Sequence, residues 1–155
     1  MHAPGQLAIY PVLPLDRLGL GLNEYLSRLA DVLIDVLRTF SVAAHREQGS
    51  PAVWVSSRPI AGIGVAVRDW VSYFGACLNI NPDLELFRVV HWEKPAGAIM
   101  TSLERERHAP LRPSLVRERL IESFAEHFGF DQTYFFSEHP LLRRKASRNA
   151  LATSS

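Results

Sequence analysis

The chain has 155 residues, 47% of them hydrophobic, with 17 Lys and Arg set against 16 Asp and Glu for a formal net charge of +1. That balance predicts one domain with a buried core and excludes a disordered, fibrous or generally nucleic-acid-binding chain. A single cysteine, Cys77, excludes an internal disulfide and a cysteine-rich metal site, and no apolar run is long enough to span a bilayer. With no basic segment leading into an apolar stretch at the start, a cytoplasmic protein without membrane attachment is expected.

In chain order, Leu7 to Leu13 has β character (Ile9, Tyr10, Val12) interrupted by Pro11 and Pro14, the pattern of an edge strand. From Gly21 to Phe40, the residues Leu22, Tyr25, Leu26, Leu29, Leu33, Val36, Leu37 and Phe40 recur at threes and fours, which predicts an amphipathic helix with Asn23 as N-cap. A β-rich centre follows. Ala52–Val55 is a short apolar strand, Arg58-Pro59 is read as the turn, and Ile60, Ile63, Val65 and Val67 continue among glycines. A further strand from Asp69 to Ile80 pairs with it as a hairpin, closed by Asn81-Pro82-Asp83.

Pro113-Ser114 introduces a second helix from Leu115 to Phe128, with Gly129 placed for a left-handed cap. Thr133 to Phe136 is an aromatic strand candidate. Sheet plus separately placed helices gives an α+β domain over residues 1–140 with a mixed or antiparallel sheet. Residues 141–155, with Arg143, Arg144, Lys145 and Arg148, read as a basic, disordered tail.

Four segments carry a resemblance: His2-Ala3-Pro4-Gly5-Gln6; Pro59-Ile60-Ala61-Gly62-Ile63-Gly64; Phe74-Gly75-Ala76-Cys77-Leu78-Asn79; and Asp83-Leu84 with Phe87, then Thr101-Ser102-Leu103. In this order and spacing they resemble the signature blocks of the lipoyl(octanoyl) transferases, within the biotin/lipoate protein ligase superfamily. The resemblance implies the ligase-transferase fold and octanoyl transfer from acyl carrier protein to a lysine of a lipoyl domain, without a cofactor. Acyl carrier protein and lipoyl domains are then the implied partners. His2, Pro4, Gly5, Gln6, Ile60, Ala61, Ile63, Gly64, Gly75, Leu78 and Asn79 fall at substrate-binding positions. The family's motif opens with an Arg-Gly-Gly segment that this sequence lacks, so part of the family's first strands is expected to be missing.

The catalytic positions depart from the pattern. Pro59 stands where the family keeps a lysine, Glu93 where it keeps the cysteine nucleophile, and Phe74 where it has histidine. A proline side chain moves no proton and holds no charge beside a thiolate, and a carboxylate is a poor nucleophile toward thioesters. Transfer by the family's route is therefore expected to be impaired or lost, the alternative being a non-catalytic protein that binds an acyl chain, carrier protein or lipoyl domain.

Cys77 is read as a small buried core residue; to act as nucleophile it would need His2 or His91 as base. The six histidines show no metal-ligand spacing. Gly62 and Gly64 lack the Gly-Lys-Ser/Thr of a phosphate loop. Trp54, Trp70 and Trp92 are expected in the core or at its rim, and Glu93-Lys94 in an exposed loop.

Overall fold

The segments of β character resolve into five strands: β1 (Gln6–Ile9), β2 (His45–Arg46), β3 (Ala52–Val55), β4 (Arg58–Arg68) and β5 (Val71–Asn79). The computed structural model describes residues 2–87 and 99–134. Within them the strands form one sheet in the order β1-β5-β4-β3-β2, with every neighbouring pair antiparallel. β1 is an edge strand, as expected, but it ends at Ile9 before Pro11, short of the expected Leu13, and a single bridge from Pro14 to Val71 continues the contact beyond it.

The β4–β5 hairpin turns through Asp69 and Trp70, whose φ values of 50° and 60° match the twist of the flanking strands. Arg68 stays in the ladder opposite Val71, so β5 begins at Val71 rather than Asp69. Arg58-Pro59 is likewise not a turn. Ser56 and Ser57 make the reversal, Ser56 with φ of 53°, and Pro59 lies inside β4 opposite Trp54. Proline cannot donate to the ladder, and the register between β3 and β4 shifts at Val53/Trp54 beside it.

Antiparallel register sorts the sheet's two faces, because directly opposed residues point the same way. Leu7, Leu78, Ala61 and Val53 form one row, and Ile9, Ala76 and Ile63 the next. Both rows pack on the helix α1 (Leu22–Thr39), whose Tyr25, Leu29, Leu33, Val36 and Leu37 are fully buried. Leu22, expected on that face, is 45% exposed. Asn23 is not the N-cap, since Gly21 occupies that position in extended conformation and accepts the Tyr25 N–H at 2.9 Å.

A short helix α2 (Leu103–Arg107) follows, unforeseen in the sequence, with Ser102 Oγ capping the Arg105 N–H and a left-handed His108 ending it. Helix α3 (Pro113–Phe128) starts with proline in its first turn and ends at left-handed Gly129, as expected. It packs on α1 rather than on the sheet, so α1 is covered on two sides. Ser123 Oγ donates to Val32 O, and Phe124 stacks on Phe128 with ring centroids 4.3 Å apart. Thr133 and Tyr134 are not in a strand; the rest of that candidate strand lies outside the described residues, as does the basic tail.

Candidate functional site

Ala3-Pro4-Gly5-Gln6 is a tight turn that opens β1. The Gln6 N–H donates to Ala3 O at 3.1 Å, and proline followed by a left-handed glycine (φ 86°) is the pairing such a turn needs. Gln6 Oε1 in return accepts the Ala3 N–H at 2.9 Å. Gly5 O then accepts the N–H groups of Ile80 (3.1 Å) and Asn81 (3.0 Å), locking the turn onto the end of β5. A Cβ at Gly5 would sit 2.6 Å from Asn81 O, and one at Gly75 only 2.2 Å from Ile9 O. Both glycines are thus required by backbone contact between the β1 segment and the β5 segment.

The sheet face opposite α1 carries the polar and small residues of those blocks. Gln6 lies opposite Asn79, and Gln6 Nε2 donates to Asn79 Oδ1 at 2.7 Å. Asn79, fully buried, donates through Nδ2 to Thr101 O at 3.0 Å. The Thr101 N–H donates to Pro59 O at 3.0 Å, so one chain of hydrogen bonds runs through all four blocks. In the adjacent row Ala8, Cys77, Gly62 and Ala52 are neighbours across four strands, and in the next Gly75 opposes Gly64. No side chain in those two rows is larger than the Cys77 thiol. Among the described residues nothing lies within 4 Å of a Cβ built at Gly64.

Cys77 is therefore not the core residue expected. Strand alternation puts Ala76 and Leu78 against α1 and turns Cys77 to the other face, half-buried. Its Sγ lies 2.9 Å from His2 Nδ1, and His2 Nε2 is hydrogen-bonded to Tyr10 Oη. Burial pushes the thiol above its ordinary range. Tyr10 meets Phe74 edge-on at 6.3 Å, and Phe74 holds φ of 61°, a conformation a bulky residue rarely adopts. Period two would send Phe74 inward with Ala76; its left-handed backbone leaves the ring 58% exposed instead.

At the other end of the site, Arg58 Nε and Nη2 each donate to the Glu106 carboxylate at 3.0 Å, and Thr101 Oγ1 donates to it as well. Burial alone would raise the Glu106 pKa, but the Arg58 and Thr101 bonds outweigh it and hold the carboxyl below its usual range. This network pins α2, and with it the Thr101 turn, to the start of β4. Neither Glu106 nor Tyr10 was singled out for the site in the sequence, because no spacing rule links residues 5, 8 or 48 positions from their partners.

The predicted positions thus separate. His2, Gln6, Gly64, Gly75 and Asn79 share the face opposite α1, and Pro4 and Gly5 form the turn leading into it. Ala61, Ile63 and Leu78 support the sheet from the α1 side, and Ile60 is fully buried. Pro59 is buried, and its carbonyl accepts the Thr101 N–H. Glu93, Lys94, Trp92 and His91 lie outside the described residues. Trp54 is buried, while Trp70 at the hairpin tip is 57% exposed. Among the described residues there is no group of three or more His, Cys, Asp or Glu placed to hold a metal.

Residues 1–125 match the lipoyl protein ligase A/B catalytic domain family. This chain belongs to that family. It is 46% identical over 130 residues to an octanoyltransferase of Prochlorococcus marinus (strain MIT 9313), covering 83% of this chain and 52% of that protein. Against an octanoyltransferase of Nitratidesulfovibrio vulgaris (strain DP4) it is 43% identical over 105 residues, 68% of this chain and 48% of the relative. The chain spans about half the length of these curated relatives.

Among solved structures, biotin protein ligase from Aquifex aeolicus superposes with a TM-score of 0.63 at 13% identity, covering 81% of this chain and 53% of that one. A putative lipoate protein ligase from T. acidophilum with bound lipoic acid gives 0.60 at 15% identity, covering 83% and 54%. At such identities these two likenesses establish the fold, an α+β ligase-transferase architecture. Within this lipoyl(octanoyl) transferase family the four signature blocks of the present chain are the ones tied together by the Gly5, Gln6–Asn79 and Thr101–Pro59 hydrogen bonds.

Proposed function

We propose that this chain handles octanoyl groups presented as thioesters on acyl carrier protein, directed toward a lipoyl-domain lysine, and that its turnover by the family's usual route is impaired. The observation carrying this reading is the continuous hydrogen-bonded path from Gln6 through Asn79 and Thr101 to Pro59, flanked by a sheet face of small residues. A face without bulky side chains suits an extended acyl chain lying across the strands. His2, Gln6, Gly64, Gly75 and Asn79 would meet the substrate, with Pro4 and Gly5 shaping the entrance and Ile60, Ala61, Ile63 and Leu78 holding the strands from beneath.

Pro59 and Glu93 account for the impairment. Pro59 offers neither charge nor proton, and Glu93 would have to form an anhydride to take an acyl group. Thioester exchange needs no metal or cofactor. No helix among the described residues is long and apolar enough to cross a membrane, and we assign the action on carrier proteins to the cytoplasm. We assign residues 1–140 to the acyl-handling domain and residues 141–155 to a basic tail.

The test is the double replacement Pro59→Lys with Glu93→Cys, assayed for octanoyl transfer from octanoyl-acyl carrier protein to a lipoyl domain. Transfer should rise well above the wild-type level in a variant that still unfolds cooperatively. A folded double variant with no gain would contradict the reading.

A further inference from the structure

Cys77, His2 and Tyr10 form a hydrogen-bonded chain on the small-residue face; His2 was one of two candidate bases for Cys77 in the sequence, and Tyr10 was not foreseen. Cys77 Sγ is 2.9 Å from His2 Nδ1, and His2 Nε2 is bonded to Tyr10 Oη. Tyr10 also packs edge-on against the His2 ring at 5.7 Å, so the imidazole is oriented by a third group. A nucleophile within reach of a base, with the base positioned by another side chain, is the arrangement that activates thiols. Along its row the thiol's cross-strand neighbours are the small residues Ala8 and Gly62. Beyond it lie Gly75 and Gly64, and past those the exposed rings of Tyr73 and Phe74. The strained backbone of Phe74 keeps its ring beside Tyr10 instead of in the core, and such strain concentrates at functional sites.

We propose that Cys77 is the acyl-accepting nucleophile of this chain, with His2 as its general base and Tyr10 as the residue that positions His2. This rests on the octanoyl-thioester reading above and supplies the catalytic group that Pro59 and Glu93 do not. With Nε2–H donating to Tyr10 Oη, His2 Nδ1 is free to accept the Cys77 proton. Sγ attacks the thioester carbonyl, a new carbon–sulfur bond to Cys77 forms, and the bond to the carrier's sulfur breaks. The proton held on Nδ1 passes to the departing thiolate, so one thiol and one thioester exchange with no oxidant or reductant. Because burial disfavours a standing thiolate, proton removal accompanies attack, and the base is needed at neutral pH.

Cys77 is the only cysteine in the sequence, which makes the test direct. The full chain is incubated with octanoyl-acyl carrier protein, and in parallel with the carrier-free thioester octanoyl-N-acetylcysteamine, and followed by intact-protein mass spectrometry. One octanoyl group should appear and be removed by neutral hydroxylamine, and Cys77→Ala should gain none. His2→Ala should acylate on the order of 10²-fold more slowly at neutral pH, with the deficit narrowing as alkaline pH ionises the thiol directly.

Tyr10→Phe keeps the ring packing but loses the hydroxyl, and should shift the pH profile of acylation rather than abolish it. Cys77→Ser, close in shape, covers the case in which the alanine variant fails to fold and should form no hydroxylamine-labile adduct. An octanoyl adduct that persists in Cys77→Ala, or none on wild-type protein that binds octanoyl-acyl carrier protein saturably, overturns the proposal and leaves the functional reading standing. Neither adduct nor binding in folded protein overturns both.

Discussion

Gly5 and Gly75 show at the level of single residues why short motifs recur in this sequence. Each is glycine because a backbone oxygen occupies the place of its Cβ, Asn81 O for Gly5 and Ile9 O for Gly75. Gly75→Ala should therefore destabilise by about 1–3 kcal/mol through displacement of β1, whereas Gly64→Ala, with open space at its Cβ, should change stability by less than about 1 kcal/mol. Chemical denaturation of the two variants side by side checks the contrast.

The Glu106 carboxylate makes a pH-dependent prediction. Its folded pKa is depressed, so its contribution is present above the unfolded value of about 4.3 and is lost as pH falls through the folded value. The difference in Tm between wild type and Glu106→Gln should be largest near neutrality and shrink on acidification. A difference that stays constant down to acid pH would remove the Arg58–Glu106–Thr101 network from the account.

The residues that sequence reading placed least well belong to this scale too. Cys77 was given to the core by its apolar neighbours, although strict alternation separates it from both Ala76 and Leu78. Its partner His2 lies 75 residues away, and only the β1–β5 register brings the two together.

The elements were more legible than their ends. The periodicity of α1, the proline start and glycine stop of α3, and the β4–β5 hairpin all follow from local chemistry and stand in the fold. What failed were boundaries set by competing signals. Arg58-Pro59 resembles a turn, but Ser56 takes the left-handed conformation, and the strand absorbs Pro59 by a register shift. Helix α2 and the two-residue β2 are too short to announce themselves by periodicity, although Ser102 followed by Glu104 is a weak helix-start signal.

Helix α1 supports the sheet beneath the site, so its core positions should dominate stability. Leu33→Ala, at a fully buried position, should cost about 2–5 kcal/mol. Tyr25 is also fully buried, yet its hydroxyl makes no hydrogen bond among the described residues and lies beside Ser72 Oγ, which donates to Pro11 O and accepts from the Leu13 N–H. Tyr25→Phe should therefore cost less than about 1 kcal/mol. A loss comparable to Leu33→Ala would mean that the hydroxyl is bonded in solution.

At the scale of the whole molecule, one sheet face is committed to α1 and the other to a hydrogen-bonded path with a band of small residues. The α+β class and the family were readable because four blocks keep their order and spacing. Which face each block serves was not, since that depends on register. The central claim is that the face opposite α1 receives an octanoyl chain. Calorimetric titration of the full chain with octanoyl-acyl carrier protein, compared with the unacylated carrier, tests it most directly. Tighter binding of the octanoyl form is predicted, with that preference lost in Gly64→Leu, which puts a bulky side chain on the face where no described residue lies within 4 Å of a Cβ. Equal affinity for the two carriers, or a preference undiminished by Gly64→Leu, would contradict it.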